Sequence, residues 1–204
     1  TLRAIAGLEE IDSGDVMIDD KPVQNLPARD RDIAFVFQLF ALYPHLSAFN
    51  NIAFPLKAAG TNKTQIEKRV DEVAKVLHIE HLLKSMPSAM SGGDLQRISM
   101  ARALVRKPKA LLMDEPMGTL DAKLREELRT ELKHLHIETG STTVYVTHDQ
   151  IEAMSMGDRI AIMDDGILQQ TGKPKEVYDN PANIFVAQFI GSPVMNMLDC
   201  HCTQ

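Results

Sequence analysis

Hydrophobic positions along this chain alternate between two rhythms: short apolar runs of strand length, and longer stretches in which apolar residues return every three or four positions. Residues 1–7 read as a helix closed by Gly7, with strands predicted over 15–18 and 33–37, the second ending at Gln38. A polar, Pro-containing loop joins them. Residues 47 to about 107 read as mostly helical. Within them Ile66, Val70, Val73 and Leu77 mark one helix face, and Ser91 precedes a helix carrying Leu95, Ile98, Ala101, Leu104 and Val105. Ala110-Leu111-Leu112-Met113, stopped by Asp114-Glu115-Pro116, has the length and uniform hydrophobicity of a buried parallel strand. A helix starts at Asp121, with Leu124, Leu128, Leu132 and Leu135 on one side and Gly140 at its end. Residues 142–146 are β-branched and aromatic, and predict a strand. The runs 159–163 and 167–170 flank Asp165-Gly166, a hairpin signal, and short helices are predicted from Lys173 onward.

Strands alternating with helices predict an α/β fold with a largely parallel sheet. No internal repeat and no low-complexity linker interrupts the pattern. No stretch approaches the ~20 apolar residues that span a bilayer, and no signal peptide is seen. Thr1-Leu2-Arg3-Ala4-Ile5 reads as the interior of a helix, so the N-terminus reads as a cut. The 204 residues are 44% hydrophobic and 25% charged, ordinary for one globular domain. A net charge of −6 gives no electrostatic reason to expect nucleic acid, which calls for a basic face. Two cysteines, Cys200 and Cys202, are too few and too close for a secreted disulfide framework, and favour a reducing compartment. Cys200-His201-Cys202 could ligate a soft metal, but reads more simply as a flexible tail.

In open parallel sheets, ligands sit beyond the carboxyl ends of the strands. Three polar groups fall there: Gln38, Asp114-Glu115 and His148-Asp149. Two acids at the end of an apolar strand can divide two tasks, one holding Mg²⁺ and the other orienting and deprotonating an attacking water. The same pair also suits an ordinary strand-to-loop junction. Ser91-Gly92-Gly93 opens a helix, where backbone N–H groups without a Cβ in the way can approach phosphate oxygens. Equally, Ser91 suits a plain N-cap, as does Asp121. Gln38 suits a capping amide, and His148 a satisfied structural group.

The order and spacing of Ser91-Gly-Gly-x-x-Gln-Arg, Ala-Arg-Ala-Leu, Leu-Leu-Met-Asp-Glu-Pro, Leu-Asp-Ala and Val-Thr-His-Asp resemble an ABC ATPase domain over essentially the whole chain. The resemblance implies a P-loop NTPase-like, mostly parallel sheet with a helical subdomain. Its core would be 1–46 and 108–172, with the helical subdomain at 47–107 and a C-terminal helical segment at 173–204. It implies ATP and Mg²⁺ as ligands. Ser91, Gly92 and Gly93 would be the signature motif, Asp114 the metal-holding acid and Glu115 the general base. Asp121 would belong to the D-loop, Gln38 would approach Mg²⁺ or the attacking water, and His148 would contact the γ-phosphate. Phe37-Gln-Leu-Phe-Ala-Leu-Tyr-Pro-His-Leu-Ser and Thr147-His-Asp-Gln-Ile-Glu-Ala-Met narrow the resemblance to maltose and glycerol-phosphate type sugar-importer ATPases, as does Gly172-Lys-Pro-Lys-Glu-Val-Tyr. That group implies transmembrane permease subunits, a second ATPase subunit and, indirectly, a solute-binding protein. It implies a peripheral position on the cytoplasmic face of the membrane, with residues 40–51 and the helices up to Met90 as the docking surface, and a regulatory β-domain beyond the chain's last residues.

The family's Gly-x-x-x-x-Gly-Lys-Ser/Thr loop and the strand before it do not occur in the 204 residues, whose first three match the positions immediately after that loop. The expectation is therefore a marginally stable polypeptide with no turnover of its own. Other departures are Met90 for the usual Leu, Asp94 for the usual Gln, and Met117-Gly118-Thr119 for the usual Ser-Asn. Asp94 would either repel a nearby phosphate or turn toward solvent at the helix N-terminus. Two other readings are a soluble ABC ATPase of repair or translation and a catalytically dead interaction fragment. The 38–91 interval is too short for a repair-type coiled coil, and only one cassette is present.

Overall fold

The structure, a computed structural model, describes residues 1–118, 120–191 and 193–198, without the side chains of 135, 138 and 139. The expectations placed on Thr119, the Leu135 side chain and Cys200-His201-Cys202 lie outside the described residues. The chain divides into two compact units, Thr1–Val146 and Thr147–Gln204.

The first unit is built on a three-stranded parallel sheet of β3 (Ile33–Val36), β4 (Ala110–Asp114) and β5 (Thr142–Val146), in the order β3-β4-β5. Ile33 stands opposite Ala110 and Val36 opposite Met113, while Ala110 pairs Thr142 and Asp114 pairs Val146. The middle strand is the buried one, as its uninterrupted hydrophobic run requires: Ala110 to Met113 are all buried. Parallel strands need long crossovers. Here they are α2 (Ala48–Ala58), α3 (Lys63–Val76) and α4 (Gly92–Leu104) between β3 and β4, and α5 (Ala122–Thr139) between β4 and β5. In α3 the apolar spacing buries Ile66, Val70 and Ala74, followed by Leu77. In α5 Leu128 and Leu132 are buried, each removal from water contributing about 1.5–3 kcal/mol.

The helix α1 (Leu2–Ala6) ends on Gly7, whose φ of 73° lies in the left-handed region that glycine tolerates. Leu2 and Ala6 pack against Ile33, Ala110 and Leu112. The buried Arg31 guanidinium closes that end: it donates to the carbonyls of Ala4, Ile5, Gln24 and Leu26 at 2.8–2.9 Å. The N-terminal strand expected over 15–18 is shorter than its pattern, β1 (Met17–Ile18), and pairs antiparallel with β2 (Lys21–Pro22), which the pattern did not predict. Asp19 and Asp20, with φ of 49° and 58°, make the tight turn between them.

The second unit pairs β6 (Ile160–Asp164) with β7 (Ile167–Gly172) in an antiparallel hairpin turned by Asp165-Gly166, as expected. Ile160 and Ile162 pack on Val177 of α7 (Pro174–Asp179) and on Val186 of α8 (Ile184–Phe189). Ala153 and Met154 of α6 (Gln150–Met156) cover the same cluster.

Candidate functional site

Two parallel strands ending side by side place Gln38 and Glu115 together. β3 stops at Val36 and β4 at Asp114, so the residues just beyond them emerge at one edge of the sheet. There the Gln38 amide Nε2 donates to Glu115 Oε2 at 3.0 Å, across 77 positions of sequence. Glu115 has φ of 43°, and its N–H donates to the Val146 carbonyl at 2.9 Å. The strand therefore bends sharply at Glu115 while its backbone stays tied to β5, which turns the carboxylate off the end of the sheet. Gly118 closes the turn by donating its N–H to the Glu115 carbonyl at 3.2 Å. A Cβ at position 118 would lie 3.6 Å from Glu115 Oε2, so the absence of a side chain there keeps that flank of the carboxylate open.

Asp114, the last residue of β4, is half-buried, and among the described residues nothing engages its carboxylate. The Asp114 carboxylate at its strand end, and the Gln38 amide oxygen left over when its nitrogen faces Glu115, are each oxygen donors of the kind Mg²⁺ accepts. No cluster of three or more acidic, histidine or cysteine side chains occurs among the described residues. The residues present thus fit a hydrated Mg²⁺ that keeps most of its waters, and not a closed protein cage.

Ser91 is the N-cap of α4, and its hydroxyl accepts from the Asp94 N–H at 3.2 Å. Asp94 folds back in turn: its Oδ2 accepts from Ser91 N at 3.2 Å and from Ser91 Oγ at 2.7 Å. This is a capping box in which the departure from the family pattern, Asp94, serves the helix start. The glycine pair is divided. Gly92 is exposed, with Leu120 Cδ2 3.9 Å from where its Cβ would stand, whereas Gly93 is buried against Leu124. Asp121 caps α5, its Oδ1 accepting from Leu124 N–H at 3.1 Å, so the capping role is present whatever else it does.

His148 belongs to the second unit and is exposed. Its neighbours are fixed: Thr147 Oγ1 donates to the buried Glu152 at 2.7 Å and accepts from Asp149 N–H at 3.0 Å. Asp149 Oδ1 accepts from the N–H groups of Ile151 and Glu152 at the start of α6. The backbone on both sides of His148 is thereby held.

Two residues of this region were not singled out by sequence. Asn51, fully buried, accepts from Tyr43 N–H and donates to the Tyr43 and Leu46 carbonyls at 2.8–3.0 Å. Arg102 donates to the Ala41 carbonyl at 2.8 Å. Both act on backbone outside their own helices; Arg102 entered the sequence reading only as a letter of Ala-Arg-Ala-Leu, with no role, and the context of Asn51 carries no sign of one.

This architecture is the α/β class of P-loop nucleotide-hydrolase folds. The chain belongs to the ABC transporter family, whose model matches residues 1–118. It is 56% identical to the trehalose/maltose import ATP-binding protein MalK of Thermococcus litoralis, an alignment covering 100% of this chain and 56% of that protein. It is 53% identical to the diacetylchitobiose uptake system ATP-binding protein MsiK of Streptomyces coelicolor, covering 100% of this chain and 54% of that one. For the sn-glycerol-3-phosphate import ATP-binding protein UgpC of Psychromonas ingrahamii the identity is 52%, over 99% and 54%. The chain thus spans about half the length of the curated relatives it matches. Among solved structures it resembles cbiO1 of Clostridium perfringens, part of an ABC transporter complex, with a TM-score of 0.79 at 29% identity over 88% of this chain and 74% of that one. It also resembles a dimeric ATP-binding cassette in a post-hydrolysis state bound to ADP and Pi, with a TM-score of 0.74 at 35% identity over 85% and 78%.

Proposed function

We propose that the protein is the ATP-binding and ATP-hydrolysing subunit of an importer for a carbohydrate or related solute. It would work as a peripheral subunit on the cytoplasmic face of the membrane. Its partners would be permease subunits and a second ATPase subunit, with a solute-binding protein acting through the permease. The observation that carries this reading is the Gln38–Glu115 hydrogen bond at the carboxyl edge of the parallel sheet. Relatives named for trehalose/maltose, diacetylchitobiose and glycerol-phosphate uptake support the solute class, and the dimeric cassette supports the second subunit.

In this reading Glu115 accepts the proton of the water that attacks the γ-phosphate. Gln38 holds the Glu115 carboxylate through Nε2 and can turn its Oε1 to a cation or to the water. Asp114 would hold Mg²⁺, with Gln38 beside it. When bound, the ion would neutralise charge on the phosphate oxygens. His148 would contact the γ-phosphate, and Ser91 with Gly92 and Gly93 would meet the nucleotide of a second subunit, α4 adding its N-terminal dipole. Asp121 would act at the contact between subunits. No Gly-x-x-x-x-Gly-Lys-Ser/Thr run occurs in these residues, so residues 1–204 by themselves are expected to bind the signature side of a partner's nucleotide without turning it over.

The test is ATP hydrolysis and solute uptake by the full-length protein assembled with its permease in liposomes. Glu115→Gln should abolish both while leaving nucleotide binding intact. Turnover that survives Glu115→Gln would overturn the assignment.

A further inference from the structure

We infer that Arg102 is a positioning residue that sets the reach of Gln38 toward Glu115, linking helix α4 to the segment that carries the glutamine. The inference rests on the ATPase reading above for its consequence, though not for its geometry. Gln38 is exposed, and three residues later Ala41 stands at φ 49°, a left-handed conformation that costs an alanine about 1 kcal/mol or more. Such a turn persists only if its surroundings hold it.

Arg102 does so. Its Nη1 donates to the Ala41 carbonyl at 2.8 Å, and its Nη2 makes a longer contact of 3.4 Å to the Phe40 carbonyl. The guanidinium carbon lies 5.7 Å from the centre of the Tyr43 ring, within range of a cation–π attraction. Tyr43 is itself fixed through its backbone by the buried Asn51. Burial lowers the Arg102 guanidinium from its usual value; an arginine stays protonated in proteins, so the fork keeps its charge. A planar fork spanning two successive carbonyls is a geometry lysine cannot reproduce.

Arg102 sits in the last turn of α4, whose first turn carries Ser91 and the glycine pair. A helix of 13 residues is a rod about 20 Å long. A shift of α4 therefore moves the carbonyls of Phe40 and Ala41, and with them the attachment of Gln38 to the catalytic carboxylate. In this way the end of α4 that faces a second subunit acts on the hydrolytic centre of its own chain.

The experiment is a double-mutant cycle in the full-length ATPase assembled with its permease, using Arg102→Lys and Gln38→Ala. Arg102→Lys should lower kcat about tenfold with KM for ATP changed less than twofold. In the Gln38→Ala background the same substitution should change kcat less than twofold, because the residue it positions is gone. Effects that multiply would overturn the inference. A second readout needs no turnover: amide hydrogen exchange over residues 39–43, without nucleotide, should speed up at least tenfold in Arg102→Lys. Unchanged exchange overturns the anchor even if the protein hydrolyses ATP, whereas faster exchange in a protein without ATPase activity overturns only the functional reading. If Arg102→Lys does not fold, Tyr43→Leu, which removes the ring beneath the guanidinium, is read by the same two measurements and judged by the same outcomes.

Discussion

Gly93 and Leu124 touch so closely that a single methyl group at position 93 would stand 2.2 Å from Leu124 Cδ2 and 3.0 Å from its Cγ. The contact joins the first turn of α4 to the first turn of α5, so two helix starts that both carry candidate site residues are locked face to face. Gly92, one residue away, has no such neighbour within 3.9 Å.

The two glycines should therefore answer differently to the same substitution. Gly93→Ala forces Leu124 aside and is expected to cost about 1–3 kcal/mol, seen as a lower midpoint of thermal unfolding. Gly92→Ala should leave that midpoint nearly unchanged. Shortening the obstacle in the pair Gly93→Ala, Leu124→Ala should recover part of the loss. Equal destabilisation by both alanines would show that the Gly93–Leu124 contact does not govern this corner.

A second prediction concerns the buried Arg31. Its guanidinium satisfies the carbonyls of Ala4 and Ile5 at the end of α1 and those of Gln24 and Leu26 in the loop beyond β2. Arg31→Met keeps the apolar stem but takes the guanidinium donor from all four carbonyls, of which Ala4 keeps the N–H of Gly7. With about 1–3 kcal/mol at stake for each acceptor left dry, the net loss should reach roughly 2–4 kcal/mol once water re-enters. Urea unfolding measures it. Gly7→Ala should mimic the defect, because a Cβ there would lie 2.6 Å from Arg31 Nε at a φ of 73°.

The sheet was legible in the sequence because β4 is apolar throughout and stops abruptly at Asp114-Glu115, the pattern of a strand buried on both faces. The helices of the 47–107 region and the β6–β7 hairpin were legible from period and turn chemistry. The β1–β2 hairpin was not: its strands are two residues each, too short for any alternation, and its turn is Asp19-Asp20 where glycine would have announced the positive φ. Arg102 and Asn51 were missed for a different reason. Each acts on backbone carbonyls of the 40–46 segment, and backbone has no letter. Gly93 was read for its freedom near a phosphate, while its packing against Leu124 depends on a helix that begins about thirty residues later.

Asp94 gives the third prediction. Its carboxylate accepts from both the N–H and the hydroxyl of Ser91, and its own N–H returns a bond to Ser91 Oγ. Asp94→Ala removes one side of the capping box and should cost about 0.5–2 kcal/mol of stability. Asp94→Asn, which can still accept through its Oδ1, should lose less than half of that. A thermal melt of the two variants beside the parent separates these outcomes, and an Asp94→Ala protein as stable as the parent would mean that the box contributes nothing in solution.

The last prediction returns to the sheet edge, where the Gln38 amide supplies a donor to Glu115 at 3.0 Å. A hydrogen bond to a charged group contributes about 1.5–3 kcal/mol, which corresponds to roughly ten- to a hundredfold in rate if it is needed in the transition state. Gln38→Ala in the full-length ATPase should thus lower kcat by that factor while KM for ATP stays within about threefold, because the amide touches the carboxylate and not the base or ribose. Glu115→Gln should go further and leave no measurable turnover, since it would delete the proton acceptor of the proposed mechanism. Steady-state ATPase assays on both variants decide the matter. If Gln38→Ala raises KM with kcat intact, the amide serves nucleotide binding, and the hydrogen bond to Glu115 is a resting-state contact with no part in hydrolysis.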